Sequence, residues 1–171
     1  GHYSIPSDTA CYPAKLMHGH IETLLTQDVD AIFYPCLTYN LDEKRGQNHY
    51  NCPVVAYYSE LLSSNMESLK KTKFLYPYLN INSKLELSKG LYKLLNSNFG
   101  GFTFKEVAKS VKAGFKAYDI WMEDIRAAGK RAFAFAEKEG KTVMILSGRP
   151  YHIDSGICHG IDKLANELGF V

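Results

Sequence analysis

The sequence predicts an α/β domain in which a mostly parallel sheet is flanked by helices, followed by a long helical segment and the start of a second doubly wound lobe. Three observations carry that expectation. Short apolar runs in the order α–β–β–α–β occupy residues 1–80, two Ser/Thr-x-x-Glu boxes precede a long apolar stripe, and a β–turn–α unit runs from Thr142 to Leu168. Runs that are apolar throughout, rather than alternating, are what a strand covered on both faces requires.

Taken in order, Leu16, Met17, Ile21, Leu24 and Leu25 recur at helical spacing between Ala14 and Gln27, and Pro13 suits a first turn, where its missing N–H costs nothing. Cys11 therefore stands at the start of a helix. Asp30–Tyr34 reads as a short buried strand stopped by Pro35, Val54–Tyr57 as another after Pro53, and 40–51 as a polar loop. Ser59–Leu69 fits a helix, and Lys73–Tyr76 fits a third strand ended by Pro77. These elements make up a cysteine-bearing lobe over residues 1–80.

Residues 81–140 read as helical. Ser83-Lys84-Leu85-Glu86 and Thr103-Phe104-Lys105-Glu106 each match a capping box. From the second box, Phe104, Val107, Val111, Phe115, Tyr118, Met122, Ile125, Ala132 and Ala136 keep to one stripe as far as Glu139, with Gly129 as a candidate break. Residues 141–171 then supply the strand Thr142–Leu146, the turn Ser147-Gly148-Arg149-Pro150 and a helix from about Ser155 to Leu168, the pattern that opens a doubly wound lobe.

A hydrophobic content of 46% with 22% charged residues places the chain among ordinary globular proteins. Its net charge of +2, with basic and acidic residues interleaved, excludes a nucleic-acid footprint. No apolar run reaches the roughly 18 to 20 residues needed to span a bilayer, so a cytoplasmic protein with no membrane partner is expected. The chain opens without a methionine and reads as a piece of a larger protein. Neither glycine-rich nucleotide loop, Gly-x-x-x-x-Gly-Lys-Ser/Thr or Gly-x-Gly-x-x-Gly, occurs, so any ATP is expected to bind elsewhere.

Cys11, Cys36, Cys52 and Cys158 could form two disulfides, but a cytoplasmic chain of this size does not need them. A thiolate at a helix N-terminus is stabilised by free N–H groups and the positive end of the dipole, which suits Cys11. Cys36 follows a strand, and Cys52 stands before Pro53. Three cysteines on three separate loops could present three thiolates to one metal, leaving one position open; burial as small hydrophobes fits their composition equally. Lys15 lies one turn from Cys11, where it could hold its charge near a ligand or simply be solvated. His18 lies two turns away on the same face, as an accessory ligand, zinc ligand or structural histidine.

A second constellation is Gly148 and Arg149 in the turn before Tyr151-His152. Such a turn can aim backbone N–H groups and a guanidinium at a phosphate or carboxylate. It can equally be a plain turn, with Asp154 capping the next helix and Cys158 packed beneath.

Taken together, Ile5-Pro6-Ser7-Asp8-Thr9-Ala10-Cys11-Tyr12-Pro13-Ala14-Lys15 with His18-Gly19-His20, Tyr34-Pro35-Cys36, Tyr50-Asn51-Cys52-Pro53 and Gly148-Arg149-Pro150-Tyr151-His152 resemble one family. It is the domain that accompanies the ATP-dependent activase module in CoA-substrate-specific enzyme activases. That domain is distantly similar to 2-hydroxyacyl-CoA dehydratase subunits and double-cubane-cluster reductases. The resemblance implies an iron–sulfur cluster, 4Fe–4S or double cubane, on Cys11, Cys36 and Cys52, which a chain isolated from its natural context can lose. It further implies an activase module, in the same or another chain, that alone uses ATP, and an acyl-CoA or small reducible substrate. The alternative is a structural or regulatory domain, with zinc or no metal, that docks an activase.

Overall fold

The computed structural model describes residues 10–44 and 46–171. The opening Ile5-Pro6-Ser7-Asp8-Thr9 of the first motif lies outside the described residues. The chain divides into two compact units, the first reaching Ala113 and the second running from Gly114 to Val171.

In the first unit, helix α1 (Tyr12–Leu25) buries Ala14, His18 and Ile21, and strand β1 (Ala31–Phe33) follows it. A crossover through α2 (Pro53–Ala56), α3 (Tyr58–Asn65) and a 3-10 turn (Glu67–Lys71) leads to β2 (Lys73–Leu75). The two strands pair in parallel, Ala31 opposite Lys73, Ile32 opposite Phe74 and Phe33 opposite Leu75. A parallel pair demands such a crossover, because its strands cannot be joined by a tight turn. Ile21, Ile32, Leu62, Met66 and Leu69 form the core between these elements, with Tyr34, Tyr58 and Phe74 packed around them. Leu62 is wholly buried; burying a leucine stabilises by about 1.5–3 kcal/mol.

Helix α4 (Lys84–Asn98) starts where the Ser83 hydroxyl accepts the Glu86 N–H at 3.2 Å. Helix α5 (Phe104–Lys138) starts at a complete box, because the Glu106 carboxylate also accepts the Thr103 N–H at 2.9 Å. Both boxes thus do what their spacing predicts. Lys73 ties α4 to β2 by donating to the Asn98 carbonyl at 2.8 Å, with its ammonium over the Phe99 ring. Gly129 does not interrupt α5. Along the predicted stripe, Val107, Val111 and Ala136 are buried, while Ile125 is exposed.

The sheet is smaller than predicted: among the described residues it has two strands, so the architecture is α/β with helices dominant and without a mostly parallel sheet. Val54–Ala56 is helical rather than a strand, because Pro53 sits at N1 and the Cys52 carbonyl accepts the Val55 and Ala56 N–H groups. The strand expected over Thr142–Leu146 is not formed; the segment makes one ladder step, Val171 N–H to the Thr142 carbonyl (3.0 Å) and Met144 N–H to the Val171 carbonyl (2.8 Å). The expected single helix after it is two, α6 (Ser155–Cys158) and α7 (Ile161–Glu167). Left-handed conformations at His159 (φ 50°) and Gly160 (φ 80°) divide them.

Candidate functional site

Cys11 is the N-cap of α1, extended at φ −63°, ψ 156°, with Pro13 in the first turn and its carbonyl taken by the Lys15 N–H at 3.1 Å. Its exposed thiol makes no capping bond, so it stands beside the free N–H end of a long helix. Cys52 repeats the arrangement at α2, with φ −65°, ψ 161° and Pro53 next, and is half-buried. The Cys–Pro and Cys–Tyr–Pro spacings read from the sequence are therefore two versions of one device. A proline that can only begin a helix holds the preceding cysteine at its mouth.

Cys36 arrives differently. Beyond β1 its N–H donates to the Pro77 carbonyl at 2.8 Å and its carbonyl accepts the Leu79 N–H at 3.1 Å, extending the parallel pairing to Cys36 and Tyr78. Its thiol is fully buried, 2.9 Å from the Ser59 hydroxyl on α3.

Two tyrosines join the three thiols. Tyr34 donates its hydroxyl to the Val54 carbonyl at 2.5 Å. Burial first, then the neighbouring charges of Cys36, Cys52 and Tyr58, push its pKa up to about 12. Tyr58 is raised too, by burial and then by Cys11. Its hydroxyl meets His18 Nε2 at 2.9 Å, and the rings pack edge-on at 5.7 Å. His18 faces inward as the two-turn spacing predicts, and serves there as a buried partner of Tyr58. Lys15 is half-buried and its backbone closes the first turn of α1. Among the described residues no three His, Cys, Asp or Glu side chains are grouped as a metal site.

The second constellation lies in the second unit. Arg149 donates its backbone N–H to His152 Nδ1 at 3.0 Å, so the turn itself consumes a donor that an anion would need. Gly148 is required here, since a Cβ at that position would lie 2.2 Å from the same Nδ1. Asp154 caps α6 by accepting the Gly156 N–H at 2.8 Å, as the capping reading predicts. Cys158 is buried, with its thiol 3.3 Å from Asp162.

Sequence reasoning missed the tyrosines. Tyr34 and Tyr58 were legible only as core aromatics, and Tyr78 only as the residue after a strand-ending proline. Tyr78 donates its hydroxyl to Glu60, a bond that, ahead of burial and Cys36, pushes its pKa up to about 12. The one available signal was local, in Tyr34-Pro35-Cys36 and Tyr76-Pro77-Tyr78, where a proline ends each strand and leaves the next residue facing the other strand's exit.

Among the described residues no helix is long and apolar enough to cross a membrane. No curated protein and no solved structure gives a significant match to the chain. A family model described as the CoA enzyme activase uncharacterised domain matches residues 1–171, and the chain belongs to that family.

Proposed function

We propose that this domain binds an iron–sulfur cluster through Cys11, Cys36 and Cys52 and handles low-potential electrons in a cytoplasmic 2-hydroxyacyl-CoA dehydratase- or reductase-like system driven by an ATP-dependent activase module. The observations that support the reading are Cys11 and Cys52 at helix mouths and Cys36 just beyond the carboxyl end of β1. The donor chemistry fits such a group: three thiols on three different loops, one delivered from a dry interior, leave a coordination position for a substrate. When bound, the cluster supplies single-electron transfer to a thioester or another small reducible group. The chain's own part is to hold and shield. Cys11 is presented at the mouth of α1, with its thiol exposed. Ser59 holds the Cys36 sulfur, and the Tyr34 phenol is anchored on the Val54 carbonyl.

The test is anaerobic expression of the full-length protein, with iron and acid-labile sulfide measured and the reduced state examined by electron paramagnetic resonance. Stoichiometric iron and sulfide that fall sharply in each of Cys11→Ala, Cys36→Ala and Cys52→Ala support the proposal. Full-length protein that takes up no iron under reconstitution defeats it.

The Cys36–Ser59 contact favours a second reading. A buried thiol already hydrogen-bonded is also a stable structural cysteine, and on that reading the domain carries zinc or no metal and docks an activase. Colourless protein with stoichiometric zinc, or with no metal, would support it.

A further inference from the structure

Two hollows open side by side beyond the carboxyl ends of β1 and β2, where open α/β folds commonly receive ligands. The larger, of about 420 Å³, is lined by Thr38, Tyr57, Glu60, Ser64, Asn65 and Tyr78 among others. The smaller, of about 320 Å³, adds Tyr39 and Asn80 and shares Thr38 and Tyr78 with the first. Their lining has a distinct chemistry. Among the described residues Glu60 is the single carboxylate of the lining, and no lysine, arginine or histidine lines either hollow. Three phenols border the space, and Tyr39 continues into Tyr50, whose ring is tilted 40° to it at 4.6 Å with the hydroxyls 2.8 Å apart. Tyr39, Tyr57 and Tyr78 are all exposed, so their rings present surface to a ligand.

A negative, phenol-lined hollow rejects phosphates and carboxylates and attracts cations. Aromatic faces bind alkylammonium groups through the ring quadrupole, and a carboxylate beside them adds direct attraction. Tyr78 contributes twice, because its side chain borders both hollows and its hydroxyl donates to Glu60, fixing the carboxylate beside them. We propose that this pair of hollows is a binding site for a small organic ammonium cation, with Glu60 as the counter-charge and Tyr57 and Tyr78 as the aromatic walls. The inference does not depend on any metal at Cys36, although Tyr78 is paired with Cys36 across the strand ends.

The probe is tetramethylammonium, titrated into the 15N-labelled full chain and followed by NMR, with neopentanol as the uncharged molecule of the same shape. Shifts confined to residues 38–39, 57–65 and 78–80 are expected, saturating in the range of about 1–50 mM that an exposed cation–π site supports. Neopentanol is expected to leave those residues unmoved. Glu60→Gln is expected to weaken tetramethylammonium binding about fivefold, and Tyr57→Leu about two- to fivefold. A native pattern of amide shifts in each variant establishes that it is folded, and Tyr57→Phe is expected to keep the affinity because it keeps the ring. Equal binding of neopentanol, unchanged affinity in Glu60→Gln, or no local shifts at about 100 mM would each overturn the proposal.

Discussion

The Cys36 thiol and the Ser59 hydroxyl meet at 2.9 Å in the interior, each residue completely shielded from solvent. Such a pair is inexpensive intact and costly when halved, because the surviving polar group keeps its desolvation penalty. Ser59→Ala is therefore expected to lower unfolding stability by about 0.5–1.5 kcal/mol, read as a shift of the urea midpoint with an unchanged slope. An unchanged midpoint would mean the contact contributes nothing.

Thiol chemistry should report the same geometry from outside. Cys11 is exposed, Cys52 half-buried, and Cys36 and Cys158 buried. In metal-free protein, iodoacetamide is expected to label Cys11 first and Cys52 next. Cys36 and Cys158 are expected to react only at the rate of opening, since attack requires access as well as thiolate. Mass mapping over time checks the order; Cys36 labelling as fast as Cys11 would contradict the packing.

Tyr34 makes stability fall at high pH. Its folded pKa is raised from 10.0 to about 12, first by burial and then by Cys36 and Cys52, so the native state holds this proton more tightly than the unfolded chain does. The associated stability is complete below pH 10.0 and is lost as pH rises to about 12. Phenolate absorbance near about 295 nm should show late-titrating phenols, Tyr34 and Tyr78 among them, and should lose one phenol's worth of late amplitude in Tyr34→Phe. If the late amplitude is undiminished by that substitution, Tyr34 does not contribute to it.

Gly148 and His152 form a coupled pair. Because a Cβ would collide with the ring nitrogen that accepts the Arg149 N–H, Gly148→Ala is expected to displace His152 and cost about 1 kcal/mol. In a His152→Ala background the same substitution is expected to cost much less, since the collision and the bond are both already gone. A double-mutant cycle by thermal unfolding measures this; additive costs would refute the coupling.

Where sequence and structure agree, local chemistry sufficed. The Thr103–Glu106 box needs only four consecutive residues, and the stripe of α5 needs only its period. Cys11 at the start of α1 followed from Pro13 and the helical spacing behind it. Where they part, a distant group decided. Val54, Val55 and Tyr57 have high strand propensity, yet Pro53 opens a helical turn whose Val54 carbonyl is then taken by the Tyr34 hydroxyl, a partner twenty residues upstream. Cys11 and Cys52 stand at helix mouths because of the prolines behind them, but the burial of Cys36 and the hydroxyl partners of Tyr34 and Tyr58 could not be read, because they are tertiary facts. The hollow beside Glu60 was equally silent, since its walls come from α3 and from both strand exits.

The segment 142–146 has a practical consequence. Met144, Ile145 and Leu146 are all exposed, Ile145 at 75%, and the ladder bonds described for them are confined to one step with Val171. An apolar run with open backbone groups is a template for another strand, whichever chain carries it. Purified alone at high concentration, this chain should therefore self-associate edge to edge through these residues, and a charged substitution at Ile145 should restore solubility without touching the cysteine lobe.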